Sequence, residues 1–300
     1  MILDEVPTAK VAGYRLIDIK GVPSNPTFRV QDTEVLIDTF DAREDDVFVC
    51  TFVKAGTTWT QMILKLLLSG GEEDGRRYSE IVPWLEALTS DVLAPREAPG
   101  HSLASVAAAP GPRYFKTHAH VRHLPGSLAS GAKVIYVARN PKDTAVSLFH
   151  HAQNKPEFGY DGDFDTFFRI FLAGRAENGC WFDHVLDWHS KSVELPGQVL
   201  FLQYEDMVDD PETAVCSIAR FIGLGGSPDI DATIRKTVVG STISSMKNNP
   251  AANIGMGHLR QGGYGGWRDV FTVAQNDSFD KVYAARMQGS RLSFKFGLEE

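Results

Sequence analysis

Lys54-Ala-Gly-Thr-Thr58 joins the apolar run VFVCTF (47–52) to a segment in which Trp59, Ile63, Leu66 and Leu67 recur at helical spacing. A strand, a glycine-containing turn and a helix start together form an anion site, because exposed backbone N–H groups and the helix dipole both face the turn. The loop that grips nucleoside triphosphates reads G-x-x-x-x-G-K-[ST]. Here Thr51 stands in place of the first glycine and Thr57 in place of the lysine, while Lys54 precedes Gly56. Triphosphate chemistry therefore lacks two of its parts. A cradle for a phosphate-like group remains, with Gly56 admitting the ligand, Thr57 and Thr58 supplying hydroxyls and Lys54 supplying charge. The same residues would also suit a polar strand-to-helix turn with Trp59 in the core.

Three further stretches carry chemistry. In KVIYVARNPKDTAVSLFHH, Arg139 leaves the end of a strand and Ser147 follows on a helix. A guanidinium can fork onto a phosphate with two parallel bonds, and a hydroxyl can complete the contact; a surface pair of Arg139 with Asp143 is the alternative. In RYFKTHAH, Lys116 and His118 emerge together at a strand end. A cation can stabilise developing charge there and an imidazole can take a proton. The other histidines, His120, His123, His150, His151, His184, His189 and His258 among them, read as structural. In HLRQGGYGGW, Arg260 precedes four glycines within seven residues, which suits either a loop laying backbone donors on an anion or a simple flexible connection.

The elements that must position these residues are legible as alternation. VFVCTF, RYFKT (113–117), KVIYVA (133–138) and VLFLQY (199–204) are short apolar or β-branched runs of the kind that form strands buried on both faces. Helical patterns separate them. Asn140 caps a helix opening on Pro141, Asp210 caps one opening on Pro211, and DFDTFFRIFLAG and CWFDHVLDWHSK add two more. The expectation is an α/β fold: one domain over 1–300 with a central, mainly parallel sheet, helices on both faces and a P-loop-like strand-loop-helix site. Residues 1–45 read as a mixed polar segment with turn signals at Gly21-Val-Pro23 and Asn25-Pro26. Residues 72–112 and 240–275 lack periodicity and read as long loops, the second covering the ligand.

Composition narrows the partners. A net charge of -8 over 300 residues argues against nucleic acid and anionic membrane, which need a basic face. A local cluster of Lys and Arg can still hold a small anion in a cleft. Three scattered cysteines, of which Cys50 sits in an apolar run, show no metal spacing and suit a reducing compartment. The N-terminal MILDEVPTAK lacks the pattern of a signal peptide, and no apolar run reaches the length of a membrane span. The expected location is the cytoplasm, and no metal is expected.

Taken in order, KAGTTW, KTH, KVIYVARNPKDTAVS, YEDM, MKNNP and RQGGYGGWRDVFTVAQNDSFD resemble the cytosolic sulfotransferases that use 3'-phosphoadenosine-5'-phosphosulfate (PAPS) and release adenosine 3',5'-bisphosphate (PAP). The resemblance covers about residues 45–296. It implies Lys54 on the oxygen bridging phosphate and sulfonate, and the loop Ala55, Gly56, Thr57 and Thr58 around the 5'-phosphate. Arg139, Ser147, Arg260, Gln261 and Gly262 would surround the 3'-phosphate. Trp59 would stack on adenine, and Tyr204, Ser241, Thr242, Ile243 and Met246 would line the nucleoside. His118 would be the general base for a small-molecule hydroxyl or amine, with Lys116 steadying the sulfonyl oxygens. A nucleotide kinase or a non-catalytic nucleotide-binding protein is the alternative.

This chain departs from the family pattern in four places. Gln261 replaces a lysine of the usual Arg-Lys-Gly, and Gly266 replaces the aspartate of Gly-Asp-Trp. Ile243 stands where an aromatic often covers adenine. Arg268, Thr272, Val273 and Asp277 occupy the positions of the family's short dimer motif with its charges kept in sign, so a homodimer through them is expected. For the acceptor, Phe52, Trp84, Phe149 and Phe158 are expected as pocket walls alongside His118; aromatics there would suit a flat apolar molecule, whereas Glu80 and Glu86 would favour a cationic one.

Overall fold

The computed structural model describes residues 13–124, 126–252 and 262–297. From residue 13 on, the segment before the sheet is more ordered than its polar composition implies. A hairpin of β1 (Ile17–Ile19) and β2 (Val22–Ser24) turns at Lys20-Gly21 and is followed by helix α1 (Val30–Thr39). The four apolar runs form β3 (Val47–Thr51), β4 (Tyr114–Thr117), β5 (Lys133–Ala138) and β6 (Val199–Gln203). They make one parallel sheet in the order β4-β3-β5-β6. Every residue of β3 is buried, as a strand covered on both faces requires.

Helix α2 (Thr57–Leu68) leaves β3. The stretch 72–112, expected as loop, instead holds short helices α3 (Tyr78–Ile81), α4 (Ala94–Glu97) and α5 (Leu103–Ala108). At four to six residues these are too short to show a helical period. Helix α6 (Ser127–Ser130) leads to β5, and α7 (Pro141–Asn154) begins at Pro141 with the Asn140 side chain accepting from Asp143 N–H. Helices α8 (Phe164–Leu172) and α9 (Trp181–Glu194) precede β6. After it come α10 (Tyr204–Asp209), α11 (Pro211–Phe221, capped by Asp210), α12 (Ile230–Gly240) and α13 (Ile243–Asn248). The last, α14 (Val273–Met287), starts inside the second stretch expected as loop, which α13 also interrupts.

Alternation along the strands sorts the core into two layers. Phe48, Cys50, Phe115, Val134 and Tyr136 face a cluster built with α7, α8, α9 and α14. Val47, Val49, Ile135 and Val137 face one built with α2, α10, α11 and α12. Helices thus cover both faces, as expected. Residues 83–85 lie along β4: Lys116 N–H donates to Pro83 O (2.8 Å) and Leu85 N–H to Lys116 O (2.9 Å). That satisfies an edge which would otherwise be open, and it brings Trp84 beside Lys116.

The opposite, N-terminal end of the sheet is locked by an ion pair. Arg113 donates through Nε and Nη2 to fully buried Asp46 at 2.7 and 2.5 Å and lies over the rings of Phe40 and Phe115. Arg113→Ala leaves that carboxylate buried without its counter-ion. The expected result is a loss of about 3–5 kcal/mol in denaturant unfolding, with the carboxyl ends of the strands unchanged in the folded fraction, because the pair lies at their other end.

Candidate active site

In open parallel sheets ligands bind beyond the carboxyl ends of the strands. Here a cavity of about 600 Å³ lies there. All four strand ends reach it: Lys54 to Trp59 follow β3, Lys116 and His118 end β4, Arg139 follows β5 and Tyr204 follows β6.

The loop after β3 shapes one end. Gly56 begins α2 in a left-handed conformation, φ +109°, and supplies no side-chain cap, so the first N–H groups of α2 remain for an anion. A Cβ at Gly56 would lie 2.8 Å from Tyr204 Cδ2. Lys54 also adopts positive φ, +70°, an uncommon conformation for a residue with a side chain. Burial, followed by the fields of Lys155 and Lys116, lowers its ammonium to about 8. Thr57 shares a hydroxyl contact with Thr51 (2.7 Å). Thr58, Trp59, Ser147, Ser241 and Thr242 border the cavity, as do Ile243, Met246 and Gly262. Gly262 has φ +71°, and its α-carbon region packs on Ile243, which a Cβ would approach to 3.3 Å. Trp59 meets Tyr204 edge-on at 5.5 Å.

Arg139 does not pair with Asp143. Its guanidinium lies 4.6 Å over the Tyr204 ring, donates to the carbonyls of Lys54 (3.4 Å) and Gly263 (3.2 Å), and keeps a buried Nε without a hydrogen-bond partner. Asp143 instead accepts from the N–H groups of Gly265 (2.7 Å) and Trp267 (3.0 Å). Glu205, fully buried, accepts from Asn140 N–H at 2.8 Å, and burial pushes its carboxyl up to about 7. These two carboxylates brace the turn that presents Arg139; both lie in stretches that resemble the family, Asp143 in KVIYVARNPKDTAVS and Glu205 in YEDM, but neither is expected from the sequence as a site residue.

At the other end, Lys116 Nζ pairs with Glu97 Oε2 (3.0 Å) and lies 4.2 Å over the Trp84 ring, which also meets His118 edge-on. His118 Nδ1–H donates to Thr51 O at 2.9 Å, which leaves Nε2 as the nitrogen with a lone pair. Burial, then Lys116, lowers this imidazole to about 3, so it is neutral at pH 7. His184, read from sequence as structural, donates from Nε2 to His118 O (3.1 Å) while Nδ1 accepts from Tyr136 OH (2.8 Å). It supports the backbone that carries His118.

Several expectations need correction. Phe52 and Phe158 are fully buried and Phe149 is 8% exposed; Phe52 and Phe149 lie in the core layer with α7 and α8, Phe158 packs on Tyr14 and His151, and none of the three borders the cavity. They pack with other aromatic rings, Phe52 on Phe171 and Phe149 and Phe158 around Tyr14, Tyr160 and Phe167. Ala55 is also fully buried, with its N–H donating to Phe52 O (3.1 Å). Of the four aromatics only Trp84 borders the cavity, joined by Leu93, Glu97, His151, Lys155, Glu157 and Glu177. Glu80 caps α3 by accepting from Arg77 N–H, and Glu86 accepts from Thr117, so neither acid borders the cavity. Arg260 and Gln261 lie outside the described residues.

A family profile described as the sulfotransferase domain matches residues 44–291. The chain belongs to the sulfotransferase family. It is 32% identical over 296 residues to Sulfotransferase 1 family member D1 of Mus musculus, covering 93% of this chain and 95% of that protein. To Sulfotransferase 1A1 of Canis lupus familiaris it is 35% identical over 294 residues, covering 92% and 94%. Among solved structures, mouse SULT7A1 complexed with PAP superposes with a TM-score of 0.76 at 28% identity, covering 92% of this chain and 95% of that one. Retinol dehydratase in a complex with retinol and PAP gives 0.79 at 26% identity, covering 98% and 94%. This sulfotransferase therefore moves a sulfonate group from PAPS and releases PAP, and the triphosphate alternative is not favoured.

The cavity fits that donor at a residue level: an uncapped helix start, a cradle that a Cβ would fill and a guanidinium nitrogen left without a partner. Gly56→Ala puts a methyl against Tyr204 and strains a positive-φ position. PAP affinity measured by calorimetry is expected to fall at least about tenfold.

Proposed function

We propose that the sulfonate is delivered to a small-molecule acceptor at the Lys116–His118 end of the cavity, with His118 as general base and Lys54 and Lys116 stabilising the charge that develops. One observation carries this reading: the His118 Nδ1–H is committed to Thr51 O, so its lone-pair nitrogen belongs to the residue that borders the same cavity as both lysines. Gly56, Thr57 and Thr58 would hold the 5'-phosphate, and Arg139, Ser147 and Gly262 the 3'-phosphate. Trp59, Tyr204, Ser241, Thr242, Ile243 and Met246 would enclose the nucleoside. Arg260 and Gln261 are proposed beside the 3'-phosphate on the motif alone.

The donor supplies a sulfonate whose bond to the 5'-phosphate breaks as the acceptor oxygen bonds sulfur, the electron pair leaving on the phosphate. His118 takes the acceptor's proton at Nε2. Lys54 meets the charge gathering on the departing phosphate, and fixed donors at that end lower the barrier because they need no reorganisation. Near a dianionic phosphate the fields of Lys54 and Lys116 are offset, which raises the basicity of His118 from its low value in the free protein. Thr51 and His184 keep the ring and its backbone in place.

We further propose a cytoplasmic location, in keeping with free thiols at Cys50, Cys180 and Cys216; among the described residues no helix is long and apolar enough to cross a membrane. A homodimer through Arg268, Thr272, Val273 and Asp277 is proposed as well, supported by the 79% exposure of Val273 at the start of α14. The segment is too short to bury an interface of standard size, so the association is expected to be weak and to appear in sedimentation as a concentration-dependent shift that Val273→Glu removes.

His118→Ala and Lys54→Ala are each expected to lower turnover about 10²-fold or more with the fold retained; near-normal rates in either variant would sink these roles. Thermal unfolding with PAP against ATP, ADP and AMP tests the donor site, since a ligand at about 100 times its dissociation constant stabilises by about 2.7 kcal/mol. The Lys54 ammonium adds a pH dependence. Anion binding favours the charged amine, so affinity is full below about pH 8 and declines above it. Between pH 7 and 9 the PAP dissociation constant is expected to rise about tenfold, and Lys54→Met, with no proton to lose, should flatten that slope. Because folding depresses this lysine, its burial opposes folding at pH 7, and Lys54→Met is expected to raise the Tm of the ligand-free protein.

A further inference from the structure

The acceptor end of the cavity is not the apolar chamber that buried phenylalanines would have made. Its walls carry Glu97, Glu157 and Glu177 opposite Lys54, Lys116 and Lys155. Two of the carboxylates have cations beside them: Glu97 pairs with Lys116 at 3.0 Å, and Glu157 has Arg96 at 3.7 Å. Glu177 differs. It is 2% exposed, borders the cavity, and its Oε2 accepts no hydrogen bond. The nearest charged partner of that oxygen is His151 Nε2 at 3.6 Å, a group charged only when protonated.

We infer that this wall of carboxylates, with Glu177 as its anchor, selects a hydroxyl acceptor that also carries a cationic ammonium or guanidinium group. The inference rests on the donor site proposed above. While the donor is away, the three carboxylates are offset by Lys54, Lys116 and Lys155 together with Arg96 beside Glu157. Once the anionic end of the donor occupies Lys54 and Lys116, their field no longer serves the acids. Glu97, Glu157 and Glu177 then outnumber the remaining Lys155 and Arg96, and the shortfall falls on Glu177 in a low-dielectric chamber, where an uncompensated buried charge is costly. A cation on the acceptor restores the balance; a neutral phenol does not, and an anion adds to the deficit. Burial pushes Glu177 up to about 7 even against the pull of Lys54 and Asn25, in line with a carboxylate short of positive charge. Trp84 and Leu93 supply the apolar surface for the body of such a molecule.

The test uses the full chain and three phenols of like shape: tyramine, 4-ethylphenol and 3-(4-hydroxyphenyl)propionate. PAP is titrated first; failure to bind at that stage would overturn the donor site, and this inference with it, before any acceptor is added. Acceptor binding to the PAP-saturated protein is then measured by calorimetry, and sulfonate transfer from PAPS by product formation. Tyramine is expected to bind at least about tenfold tighter than 4-ethylphenol, the propionate weakest. Glu177→Gln should cut the tyramine advantage to below about threefold. Glu157→Gln, at a less buried position, should reduce it in the same direction and covers the case in which the first variant does not fold. Equal binding of tyramine and 4-ethylphenol, binding of neither, or an advantage untouched in the folded variants overturns the proposal.

Discussion

Holding lysines charged inside a cleft that excludes water is the constraint from which much of this structure follows. A buried ammonium is expensive unless it is paired, and a paired one is less available to a ligand. The protein treats its two working lysines differently. Lys116 is kept on a carboxylate and over an indole face, a site that tolerates a cation before the donor arrives. Among the described residues Lys54 is given no such partner, and its burial, with the fields of Lys155 and Lys116 added, lowers its ammonium to about 8. It also sits on a backbone at positive φ. Both features oppose folding, and both leave unused attraction for an anion at the loop after β3.

The sheet makes that arrangement affordable. A parallel sheet covered on both faces is rigid, and its four strands deliver their last residues to one edge. Most positions along the strands are apolar, and the residues that line the cavity, Lys54, Lys116, His118 and Arg139 among them, stand near or just beyond the last residues of their strands. The locking pair of Arg113 and Asp46 lies at the other end, so the charge that organises the strands is kept away from the charge that works on the donor.

How much of this was legible in the residue order depended on range. The four strands, the caps of α7 and α11 and the loop around Gly56 are local, and each carries a pattern within about ten residues. Lys54, Lys116, His118 and Arg139 could be chosen because they stand at strand ends. The order β4-β3-β5-β6 was not readable, since pairing is long-range. Neither were α3, α4 and α5, which are too short to show a period. Phe52, Phe149 and Phe158 looked like pocket walls because an aromatic has no mark that separates a core position from a lining one. Conversely, Glu97, Glu157 and Glu177 reach the cavity from three separate connections, and an acid in a connection reads as solvated surface. The stretches 72–112 and 240–275, read as long loops, do line the cavity, the first through Trp84, Leu93 and Glu97 and the second through Ser241, Thr242, Ile243 and Met246.

The two ends of the cavity differ in what their cations are given as partners. At the donor end, Asp143 and Glu205 lie under the turn that carries Arg139, yet both accept from backbone or amide N–H groups and leave the guanidinium to an aromatic face and two carbonyls. Neutral acceptors at 3.2–3.4 Å are weak competitors for a phosphate, which forms charge-assisted bonds with the same nitrogens. The bracing also ties the segment that carries Gly262 to the start of α7, so these pieces of the cavity wall are held by each other before any ligand binds. At the acceptor end carboxylates stand directly beside the cations. A phosphate there would have to displace them, whereas at Arg139 it displaces nothing charged. That asymmetry supports the proposed direction of the donor, in which its phosphates would go where the cations have only neutral partners and its sulfonate would point toward the end where carboxylates already share the lysines.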